Sequence, residues 1–223
     1  MDNICVKGIK KTYGNTSAIE DISFELESGK VYGLMGENGA GKTTIMKILC
    51  GLIQADSGDI TGNNVCIGAL IEEPAAYGNL TARENLKIFR DYMEKKTKVK
   101  IEELLKLVGL EDNKKKFKDF SIGMKKRLGI AIALLNSPDI LILDEPSCGL
   151  DIPGIMETRA IIKRFMNNGS KIVIISSHDT RDLVELCDEI IMIHKGKIQE
   201  TLGHVEKDSL KLEKIYLQVI EEK

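Results

Sequence analysis

The segment Gly36–Thr44 reads GENGAGKTT, and few nine-residue stretches restrict a chain so strongly. It fits the pattern G-x-x-x-x-G-K-[ST], and its flanks are the ones that pattern needs. The run VYGLMG (31–36) reads as a buried strand, and GKTTIMKILCGL (41–52) as a helix with Ile45, Ile48 and Leu49 on its apolar face. Gly36, Gly39 and Gly41 let the backbone between the two wrap closely, so that successive N–H groups converge on an anion. The helix adds its positive end and Lys42 an ammonium. Such a loop implies a nucleoside triphosphate held with Lys42 on its β- and γ-phosphates and the Thr43 hydroxyl on Mg²⁺, with Asn38, Ala40 and Thr44 in the same cradle.

A strand–loop–helix of this kind belongs in an α/β sheet, and the remaining patterning agrees. Period-two alternation over the first thirty residues predicts antiparallel strands, and another short strand follows at about 64–70. From Thr81 the texture turns helical: Thr81 and Glu84 form a capping-box pattern, KIEELLKLVGL repeats the helical spacing, and Ser121 is placed to cap SIGMKKRLGIAIALLN. After Pro138, strands at 140–143, 171–176 and EIIMIHKG alternate with helices at about 153–167 and 180–187, and a last helix starts at Ser209. The expected fold is α/β: a P-loop NTPase (RecA-like) core with a mainly parallel, doubly wound sheet, an N-terminal antiparallel β subdomain and an inserted α-helical subdomain. We expect a single domain over 1–223, its core about 1–72 and 139–223 and the helical subdomain about 73–138.

A second chemical signal lies in ILILDE (140–145), an apolar strand ending in two acids. Side chains at the carboxyl end of such a strand face the ligand crevice. Asp144 is placed to hold Mg²⁺ and Glu145 to deprotonate the attacking water. His178 ends the following strand, KIVIISSH, and is expected to sense the γ-phosphate; His194 and His204 lack that context and read as ordinary residues. The stretch LIEEP leaves a question: Glu72 and Glu73 could be an acid/base pair, half of a metal site, or a solvated turn.

Composition narrows the classes. A net charge of −2 gives no general attraction for nucleic acid, so the basic clusters Lys114–Lys116 and Lys125–Arg127 are expected to be solvated. No apolar run approaches the roughly 20 residues that span a bilayer. Five cysteines without C-x-x-C spacing suit reduced thiols, and no secretory signal is visible; both predict a cytoplasmic protein.

Together, GENGAGKTT, LILDEP and SSHD, with a helical insert between the first two, resemble the nucleotide-binding subunit of ATP-binding-cassette (ABC) transporters over essentially the whole chain. The segment FSIGM (120–124) is similar to the family's signature loop, Leu-Ser-Gly-Gly-Gln; it keeps Ser121 and Gly123, while Phe120, Ile122 and Met124 depart. The resemblance implies that Ser121 and Gly123 cap the ATP of an opposite subunit, that Tyr13 stacks on adenine, and that Asp151 lies in a loop crossing the interface of a head-to-tail dimer. It also implies transmembrane permease subunits as partners, with this chain peripheral on the inner face of the membrane. Where the family usually carries glutamine, this chain has Glu72, as in the bacitracin and lantibiotic immunity branch; that branch's chains also tend to end soon after the core. The expected activity is ATP hydrolysis driving export of a peptide antibiotic. Glu72, on an extended backbone, would face the nucleotide and Mg²⁺, while Glu73 would face a loop or the groove for the membrane subunits. Alternatives are an exporter ATPase for another cargo, a DNA-repair or ribosomal ATPase of the same superfamily, or another P-loop enzyme. No heptad insertion, second cassette or Asn-Lys-x-Asp guanine motif supports the last three.

Overall fold

Residues 3–62, 65–93, 99–167, 169–203 and 208–221 are described by a computed structural model. Strands β1 (Ile4–Tyr13) and β2 (Thr16–Leu26) form a long antiparallel pair, and β4 (Ser57–Thr61) lines its outer edge. Between them in sequence, β3 (Val31–Met35) runs into helix α1 (Lys42–Leu49). After β5 (Ile67–Leu70) come helices α2 (Ala82–Tyr92) and α3 (Ile101–Leu107), a short 3-10 turn (Phe117–Asp119) and α4 (Ile122–Leu134). Then β6 (Ile140–Leu143), α5 (Ile152–Met166), β7 (Ile172–Ser176), α6 (Thr180–Leu186), the hairpin β8 (Glu189–His194) with β9 (Lys197–Gly203), and α7 (Ser209–Glu221) complete the chain.

Among the described residues, nine strands join one sheet in the order β4-β1-β2-β9-β8-β3-β7-β6-β5. Its half from β8 to β5 is parallel, and its other half is antiparallel apart from a single parallel bridge, Asp21 to Lys197. The sheet is therefore mixed, an α/β fold with an antiparallel flank. The parallel strands read as unbroken apolar runs because both their faces are covered. Alternate residues go to opposite cores: Leu141, Leu143, Val173, Ile175, Ile190 and Met192 pack with α2 to α7, while Ile140, Ile142, Ile172, Ile174, Ile191 and Ile193 pack with α1 and the antiparallel strands.

Local capping follows the side chains. Thr81 accepts from the Glu84 amide while the Glu84 carboxylate accepts from the Thr81 amide, a complete capping box at the start of α2. Ser121 caps α4 through the Met124 amide. The helical segments between β5 and β6 share a core with the sheet, Leu86, Ile101 and Leu128 lying in one cluster with Leu141.

Two strands go beyond the expectation. β4 is SGDIT, exposed throughout, with a glycine and an aspartate that favour turns. β9 returns from β8 through Lys195–Gly196, both at positive φ (47° and 75°), the backbone a two-residue hairpin requires. The basic run Lys125–Arg127 is not a solvated face, either. Lys126 is half-buried with its ammonium on the Glu145 carbonyl, Arg127 pairs with Glu157, and Lys125 lies over the Phe117 ring. His204 falls outside the described residues.

Candidate functional site

The loop between β3 and α1 is pressed against the backbones of β2 and β8. A Cβ at Gly36 would collide with the Ile193 carbonyl oxygen, and Gly41, at φ 111°, leaves only 2.8 Å between a Cβ and the Ala18 carbonyl oxygen. Neither position admits another residue without moving a backbone. Lys42 is buried, and its ammonium donates to the carbonyls of Gly36 (2.6 Å) and Glu37 (3.1 Å). Burial lowers the Lys42 pKa, while the Glu145 and Asp144 carboxylates nearby oppose that shift.

Sheet order explains the rest. Because β7 lies between β3 and β6, the ends of three neighbouring strands open on the start of α1. From β6, Asp144 accepts from the Thr43 hydroxyl at 2.8 Å and from the Ser176 hydroxyl of β7 at 2.5 Å. Ser176 in turn accepts from the Glu145 amide at 2.8 Å. Glu145 has φ 48°, a left-handed backbone that costs a non-glycine residue about 1–2 kcal/mol. Its carboxylate lies 2.9 Å from His178 Nδ1, within hydrogen-bond distance.

A cleft of about 300 Å³ joins Lys42, Thr43, Asp144 and Glu145 to Tyr13, Asn38, Gly39, Gly41 and Thr44. Tyr13, last residue of β1, is half exposed at its mouth, with the Lys11 ammonium 5.7 Å from the ring centroid. Ala40 is buried beneath the loop. Tyr13, Asn38, Gly39 and Gly41 to Thr44 thus line one cleft with Asp144 and Glu145, while His178 reaches the Glu145 carboxylate from a neighbouring cleft bordered by Gly36, Glu37 and Tyr216.

The other expected residues stand apart from that cleft. Glu72 is exposed at φ 60°, and its carboxylate pairs with Lys47 of α1 at 2.7 Å, one helical turn beyond Thr43. Glu73 borders a mostly apolar groove of about 340 Å³ lined by Cys50, Leu70, Pro74, Phe89 and Ile132. Ser121 and Asp151 are exposed helix caps, of α4 and α5, the latter accepting from the Gly154 amide at 3.0 Å. Gly123 sits in the first turn of α4, where a Cβ would make only ordinary contact with Leu150 at 3.6 Å. His194 departs from an ordinary satisfied histidine: among the described residues its buried Nδ1 has no hydrogen-bond partner, and it lies 3.9 Å from the Glu37 carboxylate.

Ser176, Lys126 and Lys47 are site residues that pattern reading missed. Lys126 carried a usable signal, since it lies three and four residues before the buried Gly129 and Ile130 and hence on the inward face of α4. Among the described residues no group of three or more His, Cys, Asp and Glu side chains could hold a metal on its own. Thr43 and Asp144 nevertheless offer adjacent hard oxygens, a set that fits Mg²⁺ taking its remaining ligands from phosphate and water.

Comparison with known proteins places this geometry. Residues 19–148 match the family model described as ABC transporter. The chain is 46% identical over 202 residues to the lantibiotic transport ATP-binding protein SrtF of Streptococcus pyogenes, covering 86% of this chain and 87% of that one. It is 41% identical over 217 residues to the bacitracin transport ATP-binding protein BcrA of Bacillus licheniformis, covering 91% and 71%. Among solved structures, a dimeric ATP-binding cassette bound to ADP and Pi shares the fold with a TM-score of 0.81 at 23% identity, over 90% of this chain and 98% of that one.

Proposed function

The chain belongs to the ABC transporter family as an ATP-binding, ATP-hydrolysing subunit, and on that premise we propose that it powers export of a lantibiotic- or bacitracin-type peptide antibiotic. The observation that carries this cargo is the 46% identity to a lantibiotic transport subunit along nearly all of both chains. The membrane path belongs to separate permease subunits. No helix among the described residues is long and apolar enough to cross a membrane, which suits a subunit held peripherally on the inner face.

In this mechanism the loop N–H groups and the Lys42 ammonium hold the ATP phosphates, the ammonium exchanging its two carbonyl partners for phosphate oxygens. Tyr13 stacks on the adenine. Mg²⁺, held by Thr43 and Asp144 when bound, supplies charge neutralisation along the phosphates. The Glu145 carboxylate takes a proton from the attacking water as the bond from the γ-phosphorus to ADP breaks and ADP leaves, while His178 holds that carboxylate and faces the γ-phosphoryl group.

The partner across the cleft is a second copy, arranged head to tail so that Ser121 and Gly123 of one protomer cap the ATP of the other. Two features support this. Glycine is a poorer helix former than alanine, yet among the described residues nothing is close enough to Gly123 to demand it. Among the described residues the Ser121 hydroxyl only accepts, from the Met124 amide, and keeps its proton to donate. Asp151 begins α5 on the same exposed side, and closure on two ATP molecules switches the dimer. We assign Glu72, at the usual glutamine position and tied to α1 through Lys47, to coupling between the Mg²⁺–ATP site and the permease. Glu73 faces the groove that would receive the permease.

The test is to purify the chain with its co-expressed membrane subunits and measure ATPase activity against a panel of peptides. Stimulation by a lantibiotic or bacitracin supports the reading. Basal activity that no peptide antibiotic changes, alongside stimulation by another substrate class, refutes the cargo.

A further inference from the structure

The Glu145 backbone is held in an unfavourable conformation by side chains from two different elements. On its amide side the Ser176 hydroxyl of β7 accepts at 2.8 Å. On its carbonyl side the Lys126 ammonium of α4 donates at 2.5 Å. A left-handed non-glycine residue persists only where its surroundings over-determine it, and these two bonds, with the Cys148 amide also on the Glu145 carbonyl at 3.2 Å, do so. The conformation matters because it aims the carboxylate at His178.

We propose that Lys126 is a positioning residue for hydrolysis: from α4 it fixes the backbone of Glu145 and thereby the direction of the carboxylate. This rests on the reading of Glu145 as the general base. Lys126 is suited to the task. A long side chain in a half-buried setting loses solvent and relies on protein partners, and its ammonium lies near the acids Glu145, Glu73 and Asp144 and the Cys148 thiol. Burial lowers its pKa and those neighbours oppose the shift.

The placement of α4 gives the contact a further meaning. Its first turn is the Ser121–Gly123 loop, and Lys126 follows that loop by one turn. A shift of α4 that accompanies engagement of the loop by the second protomer's ATP moves the Lys126 ammonium with it. Lys126 therefore joins the loop that serves one nucleotide to the base that activates water at the other, within a single chain.

The experiment measures kcat and KM for ATP in the full chain carrying Lys126→Met or Lys126→Arg, alone and together with Glu145→Gln. We expect Lys126→Met to lower kcat by roughly 10–100-fold, the scale of a displaced catalytic group, with KM within twofold. Lys126→Arg, which keeps a charged donor, should recover most of the rate. In the Glu145→Gln background, Lys126→Met should cost nothing further. Lys126→Ala carries the same expectation if the methionine variant does not fold. An unchanged kcat in Lys126→Met, or an equal loss in the Glu145→Gln background, overturns the proposal while leaving Glu145 as base. An active Glu145→Gln enzyme would instead remove the base assignment itself, whatever Lys126 does.

Discussion

Replacing Ser176 by alanine should damage stability and turnover together, and the size of both follows from one buried oxygen. Ser176 is fully buried, donates to Asp144 Oδ1 at 2.5 Å and accepts from the Glu145 amide at 2.8 Å. Alanine deletes both bonds and leaves no room for water to replace them. A hydrogen bond to a charged group is worth about 1.5–3 kcal/mol, and a stranded buried amide costs about 1–3 kcal/mol. The two share an atom, and Asp144 keeps its bond from Thr43, so the losses are less than additive: about 2–4 kcal/mol in all. For a chain of this size that corresponds to a fall in Tm of about 5–15 °C. Glu145 also loses one tie on its left-handed backbone, so kcat should fall more than KM rises. Calorimetry and steady-state ATPase assays read the two arms, with the exposed Ser170→Ala as control, expected within about 0.5 kcal/mol of the parent. A Ser176→Ala protein with parental Tm and kcat would refute the idea that this hydroxyl ties the two acids together.

Glu145→Gln should bind ATP, accumulate as a dimer on a sizing column and lose roughly 100-fold or more in hydrolysis; near-normal turnover would show that another group takes the proton. Tyr13→Ala, losing a stacking contact worth about 1–3 kcal/mol, should raise KM for ATP by roughly tenfold while binding of the permease stays intact. An unchanged KM would return Tyr13 to the edge of the β subdomain. Glu72→Gln breaks an exposed pair with Lys47, worth about 0–1 kcal/mol, so the protein should keep its stability and most of its ATPase activity. Its Mg²⁺ dependence, or the resistance it confers with its permease, should change; if titration and resistance assays both match the parent, Glu72 is only a loop acid.

The parts legible in the sequence are those whose meaning is local. A glycine-rich loop between strand and helix, an apolar strand ending in Asp144 and Glu145, and a capping box at Thr81 are each contained in a dozen residues or fewer. The hairpin of β8 and β9 was also local, its Lys195–Gly196 turn lying between two runs that pair, but β9 is half-exposed and weakly apolar, so its alternation did not stand out. β4 had no signal of its own: five exposed residues form a strand only because β1 offers them an edge.

Ser176 and Lys126 show the other limit. In sequence one is a small polar residue at the end of IVII and the other the middle of a basic run. What gives each its role is a neighbour 31 or 19 residues away. Those neighbours are set by sheet order, which puts β7 against β6, and by the burial of one face of α4. Knowing that order, the adjacency of Thr43, Asp144, Ser176 and Glu145 follows almost without further information, since three parallel strands ending at one level must bring their last residues together. Lys126 then ceases to be a surface charge, because a lysine on the inward side of a helix must find an acceptor, and it finds the Glu145 carbonyl. The chemistry of this site is therefore written in contiguous motifs, whereas the control of its geometry is written in isolated residues that only the fold makes neighbours.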